Sequence, residues 1–147
     1  MMIQDIKNKI KAKLDAMVTA GTLGEVQMDD FKVGIFDREF AKFPAAVLTS
    51  PSVVGEVYMN TMNQREHTFN IVIIEKTENI TSATDIENLM ENIMNAFDND
   101  PLLEGKSDSG MLPAVSSPEP VVSGSKSYIA FVITMKAKAI KDLTFSY

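Results

Sequence analysis

The sequence predicts an α+β domain, in which a mixed or antiparallel β-sheet is flanked by two α-helices and carries a long projecting arm. Three observations support this. Two stretches repeat apolar residues every three or four positions, as amphipathic helices do, and several others alternate apolar and polar residues, as half-buried strands do. Residues 98–127 show neither period and hold 14 Pro, Gly or Ser among 30 residues. A connection of that size is typically functional or disordered.

An N-terminal helix is predicted by an apolar stripe that ends before two glycines, Gly21 and Gly24. The stripe comprises Ile3, Ile6, Ile10, Leu14 and Met17. Phe31–Ile35 then alternates and predicts a short strand or hairpin arm. Phe43–Leu48 predicts a strand entered through Pro44, a position where the missing N–H is tolerated.

A hairpin and a second helix follow. Glu56–Met62 alternates, Asn63-Gln64 is the predicted turn, and Thr68–Glu75 is rich in β-branched residues. Thr84-Asp85 then predicts a helix start, and the Asp98-Asn99-Asp100-Pro101 run predicts its stop. The stripe of this helix comprises Ile86, Leu89, Met90, Ile93, Met94 and Phe97. Tyr128–Ala139 alternates cleanly and predicts the closing strand.

Length and composition limit the classes of protein to which this chain can belong. The 147 residues, 45% of them hydrophobic, fit a single globular domain over 1–147. Without cysteine there is no disulfide or thiolate chemistry, which fits a reducing site of synthesis. No apolar run approaches the roughly 18 residues of a membrane span, and the N-terminus does not resemble a signal peptide. We expect no membrane partner.

Apolar residues inside the arm form a candidate subunit interface. They are Met111, Leu112, Val115, Val121 and Val122. A solvent-exposed loop has little reason to carry five such side chains, so we expect them to dock on a surface. Two interpretations stay open: they fold back on their own sheet, or they bind a neighbouring subunit.

The net charge of −6 is unevenly distributed. Residues 75–104 hold eight carboxylates and one lysine, whereas residues 1–13 hold four lysines and one aspartate. The candidate acidic channel or surface face comprises Glu87, Glu91, Asp98 and Asp100. Such a face repels phosphates, which argues against a nucleic-acid grip. The lysine face of the first helix is either a solvated face or a second interaction surface.

The chain offers little catalytic chemistry. His67 is the only histidine and there is no thiol, so a nucleophile with an oriented base has few possible members. We predict a half-buried strand histidine, no catalytic residue, no cofactor and no metal. Asp98-Asn99-Asp100 is a poor calcium loop, because Leu103 stands where that loop needs glycine and Ser109 where it needs an acid.

The order of these elements resembles that of the tail terminator proteins of tailed bacteriophages and of related minor tail or head–tail joining proteins. The resemblance covers most of the chain. It lies in the N-terminal helix, the Phe43–Leu48 strand, the Val53–Lys76 hairpin with Glu56 and Arg65, the Asp85–Phe97 helix with its Asp98–Leu102 stop, the arm, and the Tyr128–Ala139 strand.

The resemblance implies a structural virion protein, not an enzyme, that forms a hexameric ring on the last ring of the tail tube. The ring halts tube polymerisation and presents a surface to the head-side connector. The implied partners are further copies of this chain, the tail tube protein and a connector or neck protein, with DNA passing through the ring without specific binding. The implied location is the head–tail junction of the virion, after assembly in the host cytoplasm.

Three other functions stay open. The first is that of a neck or head-completion protein, which binds the opposite side of the same joint. The second is that of a small ligand-binding regulatory domain, with the Pro/Ser segment as a lid. The last is that of an enzyme that uses carboxylates such as Asp98 and Asp100.

Overall fold

The computed structural model describes residues 3–59, 62–99 and 113–142. Its elements are α1 (Ile3–Thr19), β1 (Glu25–Met28), β2 (Ala45–Leu48), β3 (Ser52–Met59), β4 (Met62–Lys76), α2 (Ala83–Asp98), β5 (Ala114–Val115), β6 (Glu119–Ser123) and β7 (Lys126–Asp142), with 3-10 turns at Ile35–Asp37 and Thr77–Asn79. Two helices and a mixed sheet confirm the predicted α+β class. Within the described ranges, neither helix has the length and apolar character to cross a membrane.

The sheet is built around two long central strands. β4 and β7 pair antiparallel from Met62 opposite Asp142 to Lys76 opposite Tyr128. The other edge of β4 pairs with β3 at residues 62–68 and with β2 at residues 71–74, both antiparallel, and β1 adds parallel to β2. The outer edge of β7 pairs with β5 and β6. The long alternating hairpin and closing strand are therefore confirmed.

Both helices pack on one face of the sheet. Alternation along the central strands points Phe69, Ile71, Phe131 and Ile133 to this face, where they meet the apolar stripes of α1 and α2 in one buried cluster. The opposite face buries Val72, Ile74 and Tyr128 under the segment that contains Ile35, Phe36, Phe40 and Phe43. Because both faces are covered, all four residues of β2 are buried.

The helix ends follow their local sequence. α1 stops at left-handed Gly21 (φ 85°), with Thr22 N donating to Met17 O and Gly21 N to Val18 O, the pattern by which glycine closes a helix. α2 starts at Ala83, slightly earlier than predicted. Asp85 accepts hydrogen bonds from the Thr81 hydroxyl and N–H at 2.7 and 3.0 Å. These bonds lower the pKa of Asp85, whose charge suits the positive end of the helix.

The predicted strand at Phe31–Ile35 is wrong. The chain bends there, with Phe31 at φ 63°, and then enters the Ile35–Asp37 turn. Asp29 and Asp30 accept hydrogen bonds from the N–H groups two residues further on. Such side-chain bonds to the backbone compete with strand pairing and override the alternating pattern.

The predicted hairpin turn at Asn63-Gln64 is also misplaced. Met59 lies opposite Met62, and Asn63 and Gln64 are already paired in β4. The connection falls at residues 60–61, outside the described residues. The pairing of β4 with β7 along its whole length explains the earlier turn, because it draws Asn63 into the sheet.

The prediction of an unpatterned arm is wrong for Ala114–Val115 and Glu119–Ser123. These residues form β5 and β6, which pair with the edge of β7. Between the two strands, Ser116 N donates to Val132 O, and Val132 N donates to the Ser116 hydroxyl. Pro118 and Pro120 are compatible with this position because an edge strand needs hydrogen bonds on one side only. Residues 100–112, the rest of the arm between α2 and Pro113, lie outside the described residues.

Candidate functional site

The structure separates the five predicted interface residues. Met111 and Leu112 lie outside the described residues. Val115 is half-buried against the helix-side cluster, and Val121 is half-buried against the opposite cluster. Val122 is 74% exposed. In the part of the chain that is described, most of the predicted interface thus folds back on its own sheet, and Val122 keeps an exposed apolar side chain.

The predicted acidic face lies on α2. Glu87, Glu91 and Asp98 are exposed, and their spacing of four and seven residues places them on one stripe of the helix. Asp100 lies outside the described residues. The stripe is separate from Ile86, Ile93 and Phe97, which α2 buries in the core. The three carboxylates therefore face solvent.

One end of the sheet continues as a three-stranded extension. We define it as β3 together with residues 62–68 of β4 and 136–142 of β7, which are paired side by side from Ser52, Thr68 and Lys136 onward. Seven residues of strand span about 23 Å. The extension has two outer edges, one on β3 and one on β7.

Neither outer edge of the extension has a strand partner among the described residues. β5 pairs with β7 only at Ile133 and Thr134, so no strand of the described ranges pairs with the β7 edge from Met135 to Asp142. In the same part of the chain, no strand pairs with the β3 edge from Ser52 to Met59. We call these the two free edges. An unpaired edge presents a row of N–H and C=O groups that can pair with another chain.

The other sheet edges are protected, which makes the two free edges distinct. Along β1, Gln27 Nε2 donates to Glu39 O at 2.9 Å and Arg38 Nη2 to Met28 O at 3.4 Å, so residues 38–41 cover that edge. β6 carries Pro120, and Pro118 directly precedes the strand. β3 has neither proline nor lysine, two residue types that commonly blunt an edge.

The free edges also differ in charge. Glu56 is the one residue of β3 that is charged at neutral pH. The unpaired part of β7 carries three lysines, Lys136, Lys138 and Lys141, and one acid, Asp142. An edge-to-edge contact between two copies therefore places a weakly acidic strand beside a basic one.

His67 lies at the base of the extension, opposite Val53 on one side and Ala137 on the other. It is 5% exposed, more deeply buried than predicted, and its Nδ1 has no hydrogen-bond partner. Burial, and secondly the positive charge of Arg65, lowers the pKa of His67. His67 therefore contributes to the packing at the base of the extension.

Sequence reasoning missed an aromatic cavity on the face opposite the helices. It measures about 600 Å³ and is lined mainly by Phe40, Phe43, Lys76, Lys126 and Tyr128. The Phe43 ring stacks on Tyr128 at 5.9 Å and meets Phe40 edge-on at 5.7 Å. Lys76 Nζ lies 5.0 Å from the centre of the Phe43 ring. The lining comes from distant segments, so no local pattern could predict it.

The rim of the aromatic cavity is charged. Lys126 Nζ lies 3.0 Å from Glu39 Oε1, and this hydrogen bond raises the pKa of Lys126. Lys76 Nζ lies 3.7 Å from Glu78 Oε1. All four side chains are solvent-accessible, so these pairs can exchange for charges on an incoming partner.

Comparison of the chain with models of known protein families and with curated proteins gives no match. Among the described residues, no group of three or more His, Cys, Asp or Glu side chains is placed to hold a metal ion. The free edges, the aromatic cavity and the exposed residues around them are the features of the described chain that bear on its function.

Proposed function

We propose that this protein is a structural virion protein that forms a ring on the end of a phage tail tube. The ring stops tube growth and offers a docking surface to the head-side connector. The observation that carries the proposal is the pair of free edges on opposite sides of one three-stranded extension. The biological setting comes from the element order, which resembles that of tail terminators.

Two different edges favour a ring over a two-fold dimer. A contact between the β3 edge of one copy and the β7 edge of the next is heterologous, and such contacts form a closed ring or an open filament. β3 and β7 both run antiparallel to β4, so they run parallel to each other. Copies related by a rotation axis along the strands keep that direction, and β3 of one then pairs parallel with β7 of its neighbour.

The number of strands suits a channel. Each copy contributes three strands to a closed sheet, so the hexamer implied by the resemblance would contribute roughly 18, a number that encloses an aqueous channel in known barrels. A net charge of −6 and the exposed Glu87, Glu91 and Asp98 disfavour tight binding of DNA that passes. The ring would act at the head–tail junction of the virion, after assembly in the host cytoplasm.

Gene deletion with complementation tests the proposal. Loss of a terminator leaves tube growth without a stop, so we expect overlong tubes without heads by electron microscopy, and tubes of normal length once the wild-type gene is restored. Tails of normal length that fail to join heads would instead indicate a neck or head-completion protein. A phage with intact, infectious particles after deletion would refute both.

The aromatic cavity favours a second candidate function, a small ligand-binding domain. A concave site with aromatic walls and a few charged groups is the usual form of a ligand pocket. Equilibrium dialysis of the purified protein against host metabolites separates this candidate from the first, because a structural ring requires no small ligand. A saturable metabolite whose binding is lost on Phe43→Ala would favour the ligand-binding domain.

A further inference from the structure

We propose that the loop Asp29–Gly34 inserts the ring of Phe31 into the aromatic cavity of a second copy of this chain. Phe31 is 74% exposed and Val33 is 46% exposed, so this loop carries two of the four large hydrophobic side chains that are exposed among the described residues. A large aromatic side chain directed at solvent is the kind of residue that anchors protein interfaces.

The loop holds Phe31 in a fixed position. Asp29 Oδ1 accepts from Phe31 N at 3.0 Å, and Asp30 Oδ1 accepts from Lys32 N at 3.2 Å. Arg38 Nη2 bridges both carboxylates, at 3.2 Å from Asp29 Oδ1 and 2.8 Å from Asp30 Oδ1. The Arg38 side chain is only 10% exposed, so the bridge is anchored in the body of the protein. A loop ordered in advance loses little entropy when it binds.

Phe31 also occupies an unfavourable backbone region. Its φ of 63° is left-handed, which is rare for a bulky residue. Such conformations persist where surrounding contacts impose them, and they cluster at functional positions. Glycine would adopt this φ with less strain than phenylalanine. The conformation of the loop alone therefore does not explain why residue 31 is aromatic.

The aromatic cavity matches this loop in its aromatic lining and in the charges on its rim. Phe40 and Phe43 already meet edge-on, and a third ring extends that geometry. The loop has Asp30 and Lys32 on either side of Phe31. The rim offers Lys76 and Lys126 to the acid and Glu39 and Glu78 to the base. Because Phe31 is exposed in its own chain, the cavity that receives it belongs to another copy.

This contact joins neighbouring copies of the proposed ring. The inference rests on that proposed function, because the contact alone is too small to hold two copies together. One aromatic anchor buries roughly 150–250 Å², whereas a stable interface buries about 1,200–2,000 Å². Loop and cavity are different surfaces of one chain, so the contact is head-to-tail, as edge pairing is. Both contacts are thus of the kind that repeats from one copy to the next around a ring.

Cross-linking tests the proposal directly, because the chain has no native cysteine. Val33→Cys marks the loop, and Ser125→Cys marks the cavity rim. We expect a short bismaleimide to join the two variants when they are mixed, at least tenfold more than it joins Val33→Cys to Ala12→Cys, a control on the exposed face of α1. A yield equal to that control would overturn the proposal.

Phe31→Gly separates docking from folding. Glycine tolerates positive φ, so we expect an unchanged or higher Tm together with at least a tenfold loss of the cross-link. A cross-link that survives Phe31→Gly would refute the insertion of this ring. Val53→Lys, which disturbs edge pairing, distinguishes the two proposals. If only the edge-pairing proposal is wrong, the loop–cavity cross-link still forms at high protein concentration. If only the loop–cavity proposal is wrong, rings form without that cross-link.

Discussion

Val53 and His67 lie opposite each other across β3 and β4, yet Val53 is 45% exposed and His67 is 5% exposed. The pair marks the point where the covered sheet gives way to the three-stranded extension. On one strand the chain buries its histidine, and on the neighbouring strand it leaves an apolar residue on an unpaired edge. The β3 edge, which starts at Ser52, therefore carries at Val53 an apolar side chain that is largely exposed.

Val53→Lys should block ring formation and leave the fold intact. Charged side chains, lysine above all, keep natural edge strands from pairing with other chains. We expect loss of tube capping in complementation and loss of the oligomer by light scattering, with circular dichroism unchanged. Val53→Thr, which keeps the β-branched shape, is the matched control and should cap tubes normally. Normal capping by Val53→Lys would exclude the β3 edge as the joint.

Val122→Lys tests the arm as the joint instead. Val122 is exposed on β6, whose edge carries Pro120, so edge pairing predicts no effect of this substitution on capping. If tubes grow overlong with Val122→Lys but not with Val53→Lys, the arm and not the strand edge joins the subunits.

Val121→Ala and Val122→Ala should differ in stability although the residues are adjacent. Val121 packs against the cluster that contains Tyr128, and its truncation should lower the free energy of unfolding by about 1 kcal/mol. Val122→Ala should change it by less than about 0.5 kcal/mol, as is usual for surface substitutions. Urea denaturation measures both. Equal effects would mean that β6 does not pack as described.

His67 should make stability depend on pH near its ordinary pKa. Burial lowers the pKa of His67 in the folded protein, so the unfolded chain binds the proton first as pH falls. Stability is then full above about pH 6.5, the unfolded pKa, and declines below it toward the lowered folded value. We expect the loss between pH 7.5 and pH 5.5 to be smaller in His67→Gln. An identical loss in both proteins would assign it to other groups.

Gly24→Ala should destabilise the domain through a close backbone approach. A Cβ at Gly24 would lie 2.7 Å from Phe43 N, and Gly24 N donates to Pro44 O at 2.7 Å. Backbone cannot rotate away as a side chain can, so we expect a loss of about 1–3 kcal/mol. Gly21→Ala is the comparison: its Cβ would have open space, and its cost of about 1–2 kcal/mol comes from φ alone. An unchanged stability of Gly24→Ala would contradict the close packing.

Local pattern predicted the elements whose stability is local. The helices α1 and α2, the glycine stop at Gly21 and the strand predicted over Tyr128–Ala139 are all present as expected. Each depends on residues within one or two turns or on a single strand period, and these are visible in a short window of sequence.

The failures arose where hydrogen bonds from groups outside a segment overrode the pattern within it. Phe31–Ile35 alternates like a strand, but the carboxylates of Asp29 and Asp30 and the bridge from Arg38 bend it. Residues 114–123 look irregular, with two prolines, and become strands because the edge of β7 offers them hydrogen bonds. Neither outcome follows from propensity alone.

The sequence alone determined the α+β class, the two helices and the long alternating strands, because apolar periodicity selects which face of each element is buried. Only the tertiary structure decided that both helices share one face, that part of the arm lies on the sheet, and that β3 and β7 have free edges among the described residues. It alone also assembled the aromatic cavity and exposed Phe31. These features join residues far apart in the chain, and their positions depend on strand pairing across the whole domain.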